Sequence, residues 1–136
     1  MPIEYRIDHE RRLVLARGRG ILGGDDIFAY QREVWSRADV AGYNELMDMS
    51  DVEQVVSPTP GRIRDLATLS ASMDAPASES KFAIVAPKDL EFGLGRMYEA
   101  YRALNERSKK QVGVFRSLAE ALAYLGVENQ DALSDP

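Results

Sequence analysis

Residues 45–61, Glu45-Leu-Met-Asp-Met-Ser-Asp-Val-Glu-Gln-Val-Val-Ser-Pro-Thr-Pro-Gly61, are the stretch on which the fold turns. They read as a short strand, a loop dense in hydroxyls and carboxylates, and the start of an amphipathic helix near Pro60. The prolines at 58 and 60 forbid continued ladder pairing, so Ser57 to Gly61 is expected to be loop and helix entry. Ile63, Leu66, Ala67 and Met73 then recur on one side of the helix. A hydroxyl held at such a strand-to-helix junction can handle a regulatory phosphate or an anionic ligand. The helix N-terminus offers free N–H groups and the positive end of its dipole.

On the N-terminal side, Ile3 to Ile7 alternates apolar and polar residues, Asp8 to Arg12 is polar, and Leu13 to Arg17 is apolar again, which predicts a hairpin. Gly18, Gly20, Gly23 and Gly24 follow. No Gly-Lys-Ser/Thr comes after them and their spacing misses the dinucleotide fingerprint, so they read as turn chemistry. Asp25 and Asp26 are expected to cap a helix over 27–37, with Ile27, Phe28, Val34 and Trp35 on one face and Trp35 as a packing anchor. A strand over 43–48 follows Gly42, which leaves Asp51 and Glu53 in a solvated loop.

On the C-terminal side, Ala75 to Ser80 is a small-residue connector. Lys81 to Ala86 is a nearly continuous apolar run, as in a strand covered on both faces. From Leu90 the residues Leu94, Met97, Tyr98, Tyr101 and Leu104 recur at three- and four-residue steps, giving a long amphipathic helix whose first turns Gly93 and Gly95 weaken. Asp89 or Glu91 would sit at its positive end. Gln111 to Phe115 is a last strand, Ser117 and Glu120 form a capping box, and Gly126 closes the helix 118–125. The order β-β-α-β-α-β-α-β-α predicts one α/β domain over 1–127, a mostly parallel sheet covered by helices, with a polar tail at 128–136.

Composition narrows the function classes. The chain has 136 residues, 45% hydrophobic and 29% charged, which is ordinary for one globular domain with its own core. There is no cysteine, which removes disulfides and thiolate chemistry and fits a reducing cytoplasm. The net charge is −5 and the basic residues are scattered among acids, so nucleic acid is not an expected partner. No secretory leader pattern and no transmembrane segment is present. The one histidine, His9, falls in the hairpin turn, so neither a metal site nor a cofactor is expected.

The element order, with Met47-Asp-Met-Ser-Asp-Val52 on the central strand, resembles the STAS fold of anti-sigma-factor antagonists, and more narrowly its SpoIIAA-like bacterial branch. Leu46 to Ser50 with Val52 is similar to the Leu-Asp-Leu-Ser-Gly-Val strand of STAS domains. Gly93-Leu-Gly-Arg-Met-Tyr-Glu99 looks like the long third helix of the SpoIIAA-like group, and Val114 to Leu125 like its closing strand and helix. In the antagonists the central strand leads into Asp-Ser-Ser-Gly, whose first serine is phosphorylated by a partner kinase. The resemblance places that serine at Ser57. Val56, Pro58 and Thr59 stand where the motif has aspartate, serine and glycine, so the recognition motif is eroded around this candidate phospho-acceptor. A phosphate there would still meet a helix N-terminus and Arg62.

Catalytic arrangements find little support. His9 has no Gly-x-Ser-x-Gly partner, and Asp48, Asp51 and Glu53 do not share one face. The stripe of Phe92, Leu94, Met97, Tyr98 and Tyr101, with Arg96 and Arg102 beside it, and Arg62 at the junction are the candidate surface for a partner or ligand, if the stripe exceeds what the sheet needs for cover. The expectation is a non-enzymatic, cytoplasmic bacterial regulatory module acting through protein contacts, most simply as a homodimer. A carrier or sensor of a small apolar, lipid-like ligand is the alternative, which the resemblance also permits.

Overall fold

The computed structural model describes residues 2–56, 58–75, 78–105 and 108–127. Its elements are β1 (Ile3–Asp8), β2 (Leu13–Leu22), α1 (Gly24–Trp35), a 3-10 turn (Ala38–Val40), β3 (Asn44–Val55), α2 (Pro60–Met73), β4 (Lys81–Val85), α3 (Asp89–Ala103), β5 (Gln111–Phe115) and α4 (Leu118–Leu125). The sheet order is β1-β2-β3-β4-β5, antiparallel between β1 and β2 and parallel from there on. The expected mostly parallel α/β sheet is what forms.

Strand order follows chain order, so every crossover steps the same way across the sheet. Parallel crossovers are right-handed, and three right-handed crossovers in one direction must put their helices on one face. Accordingly α1, α2 and α3 share a face, over a core built from Val14, Val34, Met47, Phe82, Ile84 and Tyr98 among others. The closing helix α4 packs on the opposite face, where Leu13, Leu15, Leu46, Ala83 and Val85 meet Ala121 and Leu125. β4 is buried on both sides, as its apolar run requires.

Several local expectations hold at the level of single atoms. Ser117 accepts a hydrogen bond from the Glu120 N–H at 3.2 Å and meets the Glu120 carboxylate at 2.9 Å, while Gly126 adopts φ +75° beyond the helix. Thr59 caps α2 through the Arg62 N–H, with Pro60 opening the helix.

Three expectations are corrected. Gly18 and Gly20 lie inside β2, which runs on to Leu22. The β2–β3 register shifts between 17 and 19 and between 20 and 21, and Gly20 has φ +65°, so these glycines make β-bulges and not turns. β3 continues through Asp51 and Glu53 to Val55 because the long β2 pairs with it, Gly20 against Val52 and Leu22 against Val55. Asp25 and Asp26 sit within the first turn of α1, and Asp26 accepts from the Gly23 N–H at 2.8 Å.

The glycines of α3 divide into two kinds. A Cβ on Gly93 would meet nothing within 4 Å, whereas one on Gly95 would lie 2.9 Å from a methyl of Val114 in β5. Gly95 therefore lets α3 lie close on the sheet, and Gly93 only weakens the helix. Thermal denaturation should show Gly93→Ala stabilising by up to about 1 kcal/mol, the propensity gain. Gly95→Ala in the same helix should instead cost about 1–3 kcal/mol through overpacking.

Candidate functional site

On the three-helix face β3 carries one buried charge among apolar neighbours. Glu45 shares its face of β3 with Met47 and Met49 and is buried. Its carboxylate accepts from the Tyr30 hydroxyl at 2.7 Å and from the Trp35 indole N–H at 3.2 Å. The Lys110 ammonium lies 3.7 Å from the other oxygen and 4.0 Å from the centre of the Trp35 ring. Both side chains of this ion pair are 5% exposed. Burial lowers the Lys110 pKa, and Glu45 partly restores it. Burial, reinforced by Glu45, raises the Tyr30 pKa well above that of an ordinary phenol.

A second buried cluster lies beside the first. Arg102 of α3 pairs with Asp74 at the end of α2 and donates to the Tyr98 hydroxyl at 3.0 Å, and the Ser108 hydroxyl donates to the same aspartate. Burial pushes Tyr98 up to about 12, against the opposing pull of Arg102. Arg102 is thus an interior strut. It does not flank an open stripe, which corrects the expectation that it could meet an acidic partner.

Toward the carboxyl ends of the parallel strands, α1, α2 and α3 part slightly and leave a cavity of about 100 Å³ over the sheet. Met47, Phe82 and Ile84 supply its floor, and Ile27, Ile63, Leu66 and Leu94 its helical walls. Met49, Val55, Ile27 and Ile63 around it are half-buried. Six polar side chains reach the apolar lining: Tyr30 and Gln31 of α1, Glu45 of β3, Ser70 of α2, and Glu91 and Tyr98 of α3. Tyr30 and Tyr98 are partnered as described. The buried Ser70 hydroxyl faces Tyr98, while one carboxylate oxygen of Glu91 is buried and completes no hydrogen bond.

The residues singled out from sequence are dispersed. Tyr98 lines the cavity, while Phe92 and Tyr101 pack half-buried against the core, so these three do cover the sheet. Met97 is half-buried, and Arg96 is exposed beside Glu99 at 3.5 Å. The Arg116 guanidinium lies 4.0 Å over the Phe92 ring. Leu90 and Leu104 project to solvent at the two ends of α3, 56% and 78% exposed, so the apolar stripe does not run the helix's length on one buried side. Arg62 extends from α2 to Asp25 at 3.2 Å and over the Phe28 ring at 4.9 Å. Ser57 lies outside the described residues. Asp48 shares the α4 side of the sheet with Leu46 and sits 4.0 Å from Arg17, so Asp48 and Arg62 do not converge. His9, in its turn, bonds the Tyr43 hydroxyl at 2.7 Å. Among the described residues no group of three or more acidic or histidine side chains is placed to hold a metal, and no helix is long and apolar enough to cross a membrane.

Glu45, Ser70, Glu91 and Lys110 were not singled out. A signal existed for two of them. Glu45 alternates with Met47 and Met49, and Glu91 precedes Leu94, Tyr98 and Arg102 at helical steps, so each put a carboxylate on an apolar face.

Removing one member of the first buried pair leaves the other uncompensated. In chemical denaturation Glu45→Leu should cost about 3 kcal/mol or more. Adding Lys110→Met should recover part of that, the remainder reflecting the Tyr30 hydroxyl and Trp35 N–H left without an acceptor. The tyrosines give a pH signature. Folded Tyr98 and Tyr30 keep their protons beyond the value of about 10 at which unfolded tyrosines ionise. Between that point and about 12 for Tyr98 the unfolded state binds fewer protons, so stability is full below pH 10 and falls as pH rises through this window. A spectrophotometric titration of the six tyrosines should show two that ionise only as the protein unfolds.

No protein-family model matches the sequence, and no curated protein does. Solved structures do match in shape. An uncharacterised protein of the DUF3478 family with a SpoIIAA-like fold, from Shewanella loihica PV-4, superposes with a TM-score of 0.57 at 12% identity, over 90% of this chain and 93% of that one. The anti-sigma factor antagonist SpoIIAA in its unphosphorylated form gives 0.54 at 10% identity, over 91% and 97%. The superpositions cover nearly all of both chains: the chain has the SpoIIAA-like, STAS fold.

Proposed function

We propose that this protein is a non-enzymatic, cytoplasmic bacterial regulatory module that works through protein contacts and self-associates as a homodimer. The observation that carries the reading is likeness in fold to an anti-sigma factor antagonist across nearly the whole chain. The surface at the junction supports it. Ile21 and Val56, at the ends of β2 and β3, are 57% and 40% exposed, and the Val56 N–H donates to the Leu22 carbonyl, so the strand ends are neighbours. Arg62, Asp25 and Phe28 stand at the entries of the helices that precede and follow β3. A surface of mixed charge and isolated apolar groups suits a transient protein contact. Exposed Leu90 and Leu104 give α3 apolar ends for self-association. Size-exclusion chromatography with light scattering should report twice the 15.2 kDa chain mass. A monomer at high micromolar concentration removes the dimer. For the regulatory contact, Ile21→Asp with Val56→Asp should abolish binding of any host protein that the natural chain captures, while leaving the melting temperature unchanged. Capture undiminished by that pair counts against the junction. Phosphorylation of Ser57 is a further form that this regulation would take, and an intact mass from the native host that loses a phosphate on Ser57→Ala would establish it.

A second reading, that the module also senses or carries a small apolar ligand, is favoured by the cavity beneath the three helices. Native mass spectrometry of freshly purified protein tests it through a co-purifying adduct.

A further inference from the structure

The ligand reading becomes chemically specific at the orphaned carboxylate oxygen of Glu91. We infer that the cavity binds a small molecule with an apolar body of one ring or a short branched chain and a single hydrogen-bond-donating head, a hydroxyl or an amine, which the buried carboxylate of Glu91 receives. This rests on the reading of the cavity as a ligand site and goes beyond it by naming the ligand's size, polarity and anchor.

Size comes first. A cavity of about 100 Å³ is well below the roughly 300–1,000 Å³ of sites for drug-sized ligands. An engineered cavity of about 150 Å³ holds benzene, so a molecule of about one ring is the scale here. A lipid with full-length chains does not fit within these walls. A short apolar body does, among Met47, Phe82, Ile84 and Leu66.

Polarity follows from what is unsatisfied. Glu91 is 5% exposed, yet its Oε2 has no hydrogen-bond partner. A buried polar atom without a partner costs about 1–3 kcal/mol, and more when charged, so such atoms in a native interior call for a partner. The carboxylate accepts, so the missing group is a donor. The Ser70 hydroxyl can give or receive, and so tolerates either a hydroxyl or an amine. Glu45, which also lines the cavity, is already engaged by Tyr30, Trp35 and Lys110 and is not available as the anchor. With two carboxylates on its lining the cavity rejects anions.

The test uses four one-ring probes of similar size: toluene, benzyl alcohol, benzylamine and benzoate. Methyl-labelled protein reports binding through shifts at Ile27, Ile63, Leu66, Ile84 and Leu94. Benzyl alcohol or benzylamine should shift these methyls at concentrations about tenfold or more below those needed for toluene, and benzoate should not bind. Glu91→Leu should remove that preference, so that toluene and the alcohol bind alike. If Glu91→Leu does not fold, Glu91→Gln keeps the shape and should abolish any preference for the amine over the alcohol. Leu66→Trp, which fills the cavity, should stop every probe. Toluene and the donor-bearing probes binding equally to the natural protein would overturn the inference while leaving a generic apolar site. No probe reaching these methyls would overturn the ligand reading as well. Survival of the preference in the Glu91 variants would show that the anchor lies elsewhere and would also overturn it.

Discussion

The handedness of the parallel crossover is the constraint from which the rest of this molecule follows. Strands added in chain order, each by a right-handed connection, force α1, α2 and α3 onto one face. Three helices spread over five twisted strands cannot all lie parallel and close-packed. The space they leave over the sheet is the cavity, which all three helices line. The opposite face receives only α4, of eight residues, which meets β3, β4 and β5. Glu4, Arg17, Arg19 and Asp48 therefore occupy that side of the uncovered strands, where Arg17 approaches Asp48 and Arg19 approaches Glu4. The polarity of the two halves of that face is set by how far one short helix reaches.

The same arrangement explains why the interior tolerates two ion pairs. The connections into β4 and β5 must return past the ends of α2 and α3, and these loops bring polar backbone and side chains against the core. Ser108 and Lys110 lie just before β5, and each points inward to a carboxylate, Asp74 and Glu45 respectively. Buried pairs of this kind add little net stability over apolar packing, because desolvation offsets most of the attraction. Their geometry does fix which loop meets which helix. Lys110 joins β5 to β3 and α1, and Arg102 joins α3 to α2, so each pair ties elements that the backbone ladder does not connect.

Much of this architecture was legible in the sequence, and the reasons are local. The capping box at Ser117, the proline entry at Pro60 and the apolar run at 81–86 each act within a few residues, so single-chain patterns report them faithfully. The extension of β3 was not legible. Asp51 and Glu53 look like loop residues, and become strand only because a bulged β2 reaches out to pair with them. The glycines that allow those bulges look the same in sequence as glycines in turns. Pairing partners are a tertiary fact, and no window of local sequence contains them.

The site was less legible than the fold for a related reason. Aromatic and methionine stripes attract attention as binding surfaces, yet on α3 the stripe largely serves as cover, and its tyrosines go to the core. The informative residues were those that interrupt an apolar face. An acid among Leu94, Tyr98 and Arg102, or between Met47 and its apolar neighbours, must either find a partner inside or be waiting for one. Glu45 found three partners because α1 and the start of β5 both close over it. Glu91 sits at the other end of the same face, where the helices part, and one of its oxygens found none. Two carboxylates with similar sequence signatures thus separate into a structural role and a receptive one by their position along the strands, a difference that only the geometry of the crossovers supplies.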